Sequence, residues 1–378
     1  MPWMEVDTMS LRREFIMLAM DPDSNTRELC RRFQISPKTG YKWFSRFRQA
    51  GEAGLKDRSR RPKRSPARTP SFMEDEVLRL RKKHRAWGGR KLRAQLIKQG
   101  YTHVPAASTI TEILRRHNRL DPEESAKHEP FNRFEQPAPN LLWQMDFKGH
   151  FAMRKGRCHP LTILDDHSRY SLGLFACENE RRGTVQDRLS HVFRRFGLPD
   201  RMLMDNGSPW GSDRGHPHTR LTVWLMHLGV GVTHCRPYHP QTQGKDERFH
   251  KTLKAEVLRY ETFKDLAQCQ RRFDQWRHIY NYERPHESLD MGVPASRYRA
   301  SGRPFPDNPP AIEYGPSDEV RKVQQKGLIT YKGRKFRLCK AFVGYPLALR
   351  PTGKDGILDV YFCNHKIDQI NLKDENPQ

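Results

Sequence analysis

A chain of 378 residues, 35% hydrophobic and 30% charged, is too long for one ordinary core and calls for several modest domains joined by polar connectors. Its net charge of +25 makes a polyanion, nucleic acid above all, the expected partner. The absence of any membrane-length apolar run or signal-type h-region argues against a membrane protein, and seven cysteines with no C-x-x-C pair argue against a disulfide scaffold or a zinc-knotted domain. The expected setting is reducing and cytoplasmic, at the nucleoid.

Charge is concentrated at the front, where residues 26–119 hold 26 Lys and Arg against 7 Asp and Glu. Leu11 to Met20 reads as a helix with Phe15 and Leu18 inward, and Thr26 to Phe33 as a second. Ser36-Pro37 then opens a third, with Ser as N-cap and Pro at the first helical position, continuing to about Gln49. The turn Gln34-Ile35-Ser36 makes residues 1–54 a helix-turn-helix domain, with Leu29, Phe33, Ile35, Trp43 and Phe47 as its small core. In that arrangement the third helix enters the major groove and presents Lys38, Thr39, Tyr41, Lys42, Ser45 and Arg46 to DNA. A three-helix packing unit that touches no DNA is the alternative, and the adjoining basic run weighs against it. That run, KDRSRRPKRSPAR, carries seven Lys and Arg and two prolines, which rules out a core. Within the linker 55–73, its Arg58, Arg60, Arg61, Lys63 and Arg64 are suited to lie along phosphates or reach into a minor groove.

A second helical unit, 74–120, repeats the layout without the sequence. EDEVLRLRKKHR forms one helix, Gly88-Gly89 breaks it, and Lys91 to Gln99 forms another with Leu92, Leu96 and Ile97 apolar. Ser108 is the expected cap of a third, with Ile110, Ile113 and Leu114 inward. Two DNA-binding units in tandem read a longer site than one. A linker, 121–136, leads into the largest region, 137–300, where strands are expected over 142–151, 158–165 and 170–176. Helix 184–196, strand 201–204, helix 220–228, strand 231–236 and helices from about Asp246 to Tyr282 follow. Hairpins first and alternation afterwards indicate a mixed α/β domain. Residues 314–372 carry short β-prone runs at 328–331, 347–350 and 358–362 between turns, the pattern of a small antiparallel barrel of SH3 type. Such a barrel serves DNA binding or the bracing of an assembly equally well.

Three acids in the α/β region stand where chemistry is expected. Asp146 lies inside the apolar strand WQMDF, Asp205 ends the strand RMLM, and Glu247 opens a helix after the loop PYHPQTQG. A carboxylate at a strand's carboxyl end sits where α/β sheets bind ligands. Gathered together, such acids repel until a hard divalent cation, Mg2+ or Mn2+, neutralises them, and two ions can serve the attacking and leaving oxygens of a phosphodiester. Patterning alone leaves structural aspartates as an alternative. Asp246, one residue earlier, points about 100° away on the helix and cannot replace Glu247.

The segments WQMDF, LMDNGSPW and RPYHPQTQGKDERFHKTLK, followed by YNYERPHESLDMGVPASRY, resemble in order the catalytic blocks of bacterial insertion-sequence transposases of the DDE superfamily, with a retroviral-integrase-like core. The resemblance is strong over residues 137–298. It extends to the front domain through AGLKDRSRRP, and more loosely to the terminal barrel. It implies a ribonuclease-H-like core in which Asp146, Asp205 and Glu247 form the catalytic triad and hold two Mg2+ or Mn2+ ions. It also implies double-stranded DNA as partner, both as terminal inverted repeats and as target, and a homodimer or larger assembly. The 42 positions from Asp205 to Glu247 exceed the family's usual interval, and the surplus falls near residues 211–218, where a surface-loop insertion is tolerated. Lys251 and Lys254, at i+4 and i+7 from Glu247, share its helix face and by resemblance contact the phosphates of the element's end. Asn206 and His239 are the expected orienting residues behind the triad. The alternatives are a nuclease of the same fold that cuts without joining, and a DNA-binding regulator with an inactive core. A retrovirus-type integrase would carry a zinc-binding His/Cys module, which this sequence lacks.

Overall fold

The computed structural model describes residues 7–58, 69–120, 135–211, 217–235 and 244–373. The chain divides into two compact units, Met1–Arg68 and Thr69–Gln378. The expected DNA contacts Arg60, Arg61, Lys63 and Arg64, the expected orienting residue His239, and most of both linkers lie outside the described residues.

The first unit contains α1 (Thr8–Ala19), α2 (Thr26–Arg32) and α3 (Pro37–Ala50). Both later helices begin on side-chain caps: Asn25 accepts from the amides of Arg27 and Glu28, and Ser36 from that of Thr39. Phe15, Ile16, Ala19, Cys30, Trp43 and Leu55 form the buried core, with Leu29, Phe33, Ile35 and Phe47 around its rim. Leu18, expected inward, is 36% exposed. The buried stripe of α1 runs through Phe15, Ile16 and Ala19, spaced i, i+1 and i+4, and that phase turns Leu18 to solvent. Gly40 permits the close crossing of α3, because a Cβ there would stand 2.4 Å from Cys30 Sγ.

The second unit begins with α4 (Ser71–Lys83), α5 (Gly89–Lys98) and α6 (Ala107–Arg116), packed around Val77, Trp87, Leu92, Leu96, Ile110, Ile113 and Leu114. Gly89 sits at the α5–α6 crossing, where a Cβ would meet the Ala107 carbonyl at 2.3 Å. Two expectations fail here. Ile97 is 48% exposed, since Leu92 and Leu96 already fill the inward face. Ser108 lies inside the first turn of α6, whose N-cap is Ala106 and makes no side-chain cap bond.

The central sheet comprises β1 (Trp143–Phe147), β2 (Phe151–Ala152), β3 (Arg157–Asp165), β4 (Ser171–Cys177), β5 (Arg201–Met204) and β6 (Gly231–His234). β3 pairs antiparallel with β1, β2 and β4; β1 pairs parallel with β5, and β5 with β6. The single long strand expected from Leu142 is broken after Phe147, where Gly149 takes a positive φ, and resumes as β2. Helices α7 (Arg182–Phe196) and α8 (Arg220–His227) cover one face through Val185, Leu189, Phe193, Leu221 and Leu225. Helices α9 (Gly244–Leu253) and α10 (Leu266–His278) cover the other through Phe249, Leu253, Phe273 and Trp276. This mixed sheet between helical layers is the ribonuclease-H-like core.

The carboxyl-terminal region is all-β. Strands β7 (Glu319–Lys322), β10 (Pro346–Pro351), β11 (Ile357–Phe362) and β12 (His365–Asn371) form a four-stranded antiparallel sheet, and β8 (Leu328–Tyr331) pairs with β9 (Arg334–Arg337) in a separate ribbon. One core joins them and includes Val223 and Met226 of α8, which seats this region on the central domain. Its strands form two antiparallel sheets, and among the described residues no ladder joins them into the expected closed barrel. No described helix is long and apolar enough to cross a membrane.

Candidate active site

Parallel pairing aligns Gln144 of β1 with Leu203 of β5. Asp146 lies two residues further along β1 and Asp205 directly follows the end of β5, close enough for its charge to act on Asp146. Burial pushes the Asp146 carboxyl up to about 7, and the charges of Asp205, Glu180 and Glu247 add to the rise against a hydrogen bond from the Phe147 amide. Asp205 is also raised, first by burial, while the Gly207 amide (3.0 Å from Oδ1), the Trp210 indole and His234 hold it down. Among the described residues neither aspartate pairs with a cation. Glu247 stands exposed on the first turn of α9, close enough for its charge to act on Asp146.

Supporting groups fix this frame. His234 bonds through Nδ1 to the Asp205 carbonyl at 2.8 Å, and the Asn206 amide donates to the Cys235 carbonyl at 2.8 Å, so both tie the end of β5 to that of β6. Trp210 stacks on Phe147 with centroids 5.4 Å apart. Asp246 is fully buried beneath the site, its pKa well above the ordinary carboxylate range through burial and the Asp146 charge. Its Oδ1 lies 3.3 Å from Thr162 Oγ1, and its Oδ2 has no hydrogen-bond partner among the described residues. Asp165 and Asp166, the other acids of this region, are engaged locally: Asp165 with Ser168 and the Asn140 amide, Asp166 with Lys245, Gln144 and the Gln136 amide.

Sequence reasoning missed four groups. Glu180 takes a hydrogen bond from His159 Nδ1 at 2.8 Å and its charge bears on both strand-borne aspartates. Thr162, His234 and Trp210 were equally unmarked, although Trp210 lies within the LMDNGSPW block. Of the expected contacts on α3, Lys38, Tyr41, Lys42 and Ser45 are exposed, while Thr39 and Arg46 are half-buried. The Thr39 hydroxyl is taken up by the cap at 2.9 Å from Ser36 Oγ, and Arg46 lies over the Trp43 ring. Arg58 is exposed beyond the helices, and Lys251 and Lys254 are exposed along α9 and just past it.

Among the described residues no three His, Cys, Asp or Glu side chains gather closely enough to hold a metal ion. The donor set nevertheless fits one. Two carboxylates are raised in pKa by burial, Asp146 also by the charge of Asp205 and Asp205 also by that of Glu180, with Glu247 as a third acid at hand, and hard divalent cations take such oxygen ligands.

Comparison with known proteins places the same parts in the same order. Residues 11–63 match a helix-turn-helix domain and 39–114 a homeodomain-like domain. Residues 136–240 and 228–294 match integrase core domains, and 318–378 the C-terminal domain of IS481 family transposases. An uncharacterized protein of insertion element IS407 from Burkholderia multivorans is 26% identical over 47% of this chain and 61% of its own length, so the chain spans about three fifths of that relative. A putative transposase for insertion sequence element IS5376 from Geobacillus stearothermophilus is 22% identical over 96% of this chain and 88% of its own. Among solved structures, the chain is similar to one in a simian T-cell lymphotropic virus intasome, at 17% identity and a TM-score of 0.37 over 79% of this chain and 96% of that one. Helix-turn-helix domains, integrase core domains and an IS481-type terminal domain thus follow one another along the chain, the order of parts in which it is similar to insertion-sequence transposases.

Proposed function

We propose that this protein binds the terminal inverted repeats of a mobile element, cleaves DNA at the element's ends and joins the freed 3′-hydroxyls to target DNA. The observation that carries the reading is the placement of Asp146 on β1 and Asp205 just past the end of the parallel neighbour β5, both raised in pKa, with no ion pair to a cation among the described residues and the charge of Glu247 acting on Asp146.

Asp146, Asp205 and Glu247 would hold Mg2+ or Mn2+, two ions in the full site. When bound, these supply Lewis-acid activation of the attacking oxygen and charge stabilisation at the leaving oxygen. The chain's own groups set the frame: His234 and Asn206 fix the end of β5, and the Gly207 amide orients Asp205. Thr162 holds the helix of Glu247 against the strand of Asp146. In the first reaction water attacks phosphorus and the bond to the flanking nucleotide breaks, leaving a 3′-hydroxyl. In the second that hydroxyl attacks a target phosphodiester and the target's own 3′-oxygen leaves. Neither reaction requires a covalent protein–DNA intermediate.

The exposed residues of α3 read duplex DNA and the basic run after it follows the phosphates, while the second helical unit extends the footprint. A dimer or larger assembly pairs the two ends, at the nucleoid. The test is to incubate purified full-length protein with Mg2+ or Mn2+, a labelled duplex carrying the flanking ends of its own gene, and a target plasmid. Joined products support the reading. Cleavage without joining makes the protein a nuclease, and specific binding without either makes it a regulator.

A further inference from the structure

The second helical unit is pinned to the core at both ends of one helix. In the first turn of α5, Arg90 Nη1 lies 3.4 Å from Glu287 Oε2, and at its last residue Lys98 Nζ donates to the Tyr282 carbonyl at 3.0 Å. Between these two pins the helix rises about 12 Å. A third comes from α4, where Lys83 Nζ lies 3.2 Å from Glu283 Oε2. Ile279 packs against the unit's apolar core, and the Arg85 guanidinium lies 5.2 Å from the ring centre of Tyr260, just past the helix run that begins with α9. Lys91, next to Arg90, is half-buried, and burial pushes its ammonium down to about 8.

The segment that receives these contacts is itself held by the core. Asn281 accepts from the Ser171 amide at 2.8 Å and donates to its carbonyl at 3.0 Å, at the start of β4, and the Tyr282 hydroxyl lies 2.8 Å from that of Tyr170. Arg284 Nε donates at 2.9 Å to Glu256, which follows α9 in the chain and also accepts from the Trp276 indole. Residues 279–287 thus join α5 both to the sheet and to the helix run of Glu247. An exposed ion pair holds little alone, but pins from two helices, spread along one of them, set the unit's orientation as well as its distance.

Among the described residues no hydrogen bond or ion pair ties α6 to the core. It sits on α5 at the Gly89 crossing and is bound to α4 by Arg116, 3.2 Å from Glu74 Oε1. Its Ser108, Glu112 and Arg115, at i, i+4 and i+7, share one exposed face. We propose that the junction is a ruler: with α6 lying on duplex DNA, Lys83, Arg90 and Lys98 and their partners hold that DNA in fixed register to Asp146, Asp205 and Glu247, and so set which phosphodiester is cut. They are positioning residues, acting through the placement of α6. The assignment rests on the reading of the protein as a DNA-end-processing enzyme.

The test maps the 3′ ends that the full-length protein produces, with Mn2+, on a labelled duplex carrying its gene's flanking ends. Glu283→Lys combined with Glu287→Lys sets like charges against Lys83 and Arg90 and adds no acid to repel DNA. Wild type should cut at one phosphodiester. The double variant should bind the duplex at least as tightly, yet spread its cuts over several neighbouring phosphodiesters. Adding Lys83→Glu and Arg90→Glu restores both pairs with their signs exchanged, and should return the cuts to one position. A folded double variant that cuts at the wild-type position alone, however slowly, overturns the ruler, since slower cutting in register is what a merely stabilising contact gives. One that binds without cutting overturns it too, because the ruler leaves the acids themselves intact. Cuts that stay spread in the four-fold variant overturn the pairing. Should the double variant fail to fold, Glu283→Gln with Glu287→Gln decides by the same map. Failure of the broader reading looks different: the wild-type protein itself would leave the duplex uncut.

Discussion

The hydroxyl of Thr162 on β3 lies 3.3 Å from Oδ1 of the fully buried Asp246, one residue before Glu247 on α9. The same oxygen stands 3.0 Å from the Asp146 carbonyl, across the β1–β3 ladder, and 2.9 Å from His250 Nε2 one turn along α9. One side chain thus fastens the helix of Glu247 to the strand of Asp146, two of the three acids proposed to carry the chemistry.

Thr162→Val keeps the shape and removes that fastening, leaving Asp246 with no hydrogen-bond partner among the described residues. The cost expected for a buried polar group so orphaned is about 1–3 kcal/mol, read as a lower urea midpoint at constant m-value. Joining should fall more than end binding, and Thr162→Ser should restore both stability and joining. A Thr162→Val protein that joins ends at the wild-type rate would deny the hydroxyl any role in placing α9.

The pKa of Asp146 makes stability depend on pH with a definite sign. Unfolded, this carboxyl titrates near the ordinary aspartate value; folded, it titrates at about 7. Between those values the folded state holds a proton that the unfolded state has released, so the group's contribution to stability falls as pH rises through the window. Without divalent cation, Asp146→Asn should therefore melt above wild type at pH 8, with the difference shrinking toward pH 5. Because cation binding must displace the proton, the half-saturating Mn2+ concentration should fall from pH 6 to pH 8. A melting difference independent of pH would contradict the shift.

Glu256 and Arg284 form a buried ion pair at 2.9 Å, with side chains only 9% and 10% exposed, and the Trp276 indole supplies a second bond to the acid. Removing one partner of such a pair strands the other charge, at a typical cost of about 3–5 kcal/mol. Glu256→Ala should lose stability on that scale in urea unfolding. A loss below about 1 kcal/mol, as for an exposed pair, would mean that the junction is open to water.

Much of this was legible in the sequence because periodicity and caps agreed. The Ser36-Pro37 start of α3, the strand RMLM and the inward stripe Ile110, Ile113 and Leu114 all carry local signals that tertiary packing had no cause to overrule. Leu18 and Ile97 were misplaced because each lies one position off a stripe already filled by its neighbours. The strands Glu319–Lys322, Arg334–Arg337 and His365–Asn371 went unmarked, since each is charged or polar on one side and acquires its register only from a partner strand. In the site, Asp146, Asp205 and Glu247 could be singled out from motif order. Glu180, Thr162, His234 and Lys91 could not, because each gains its meaning from residues far away in sequence.

The most direct test of the central claim is the joining assay with Asp205→Asn and Glu247→Gln beside wild type, each first shown to bind the end duplex normally. The account predicts metal-dependent joined products from wild type and none from either variant, at undiminished binding. Joined products from Asp205→Asn at a rate near wild type would contradict it, and the chemistry would have to be sought elsewhere in the chain.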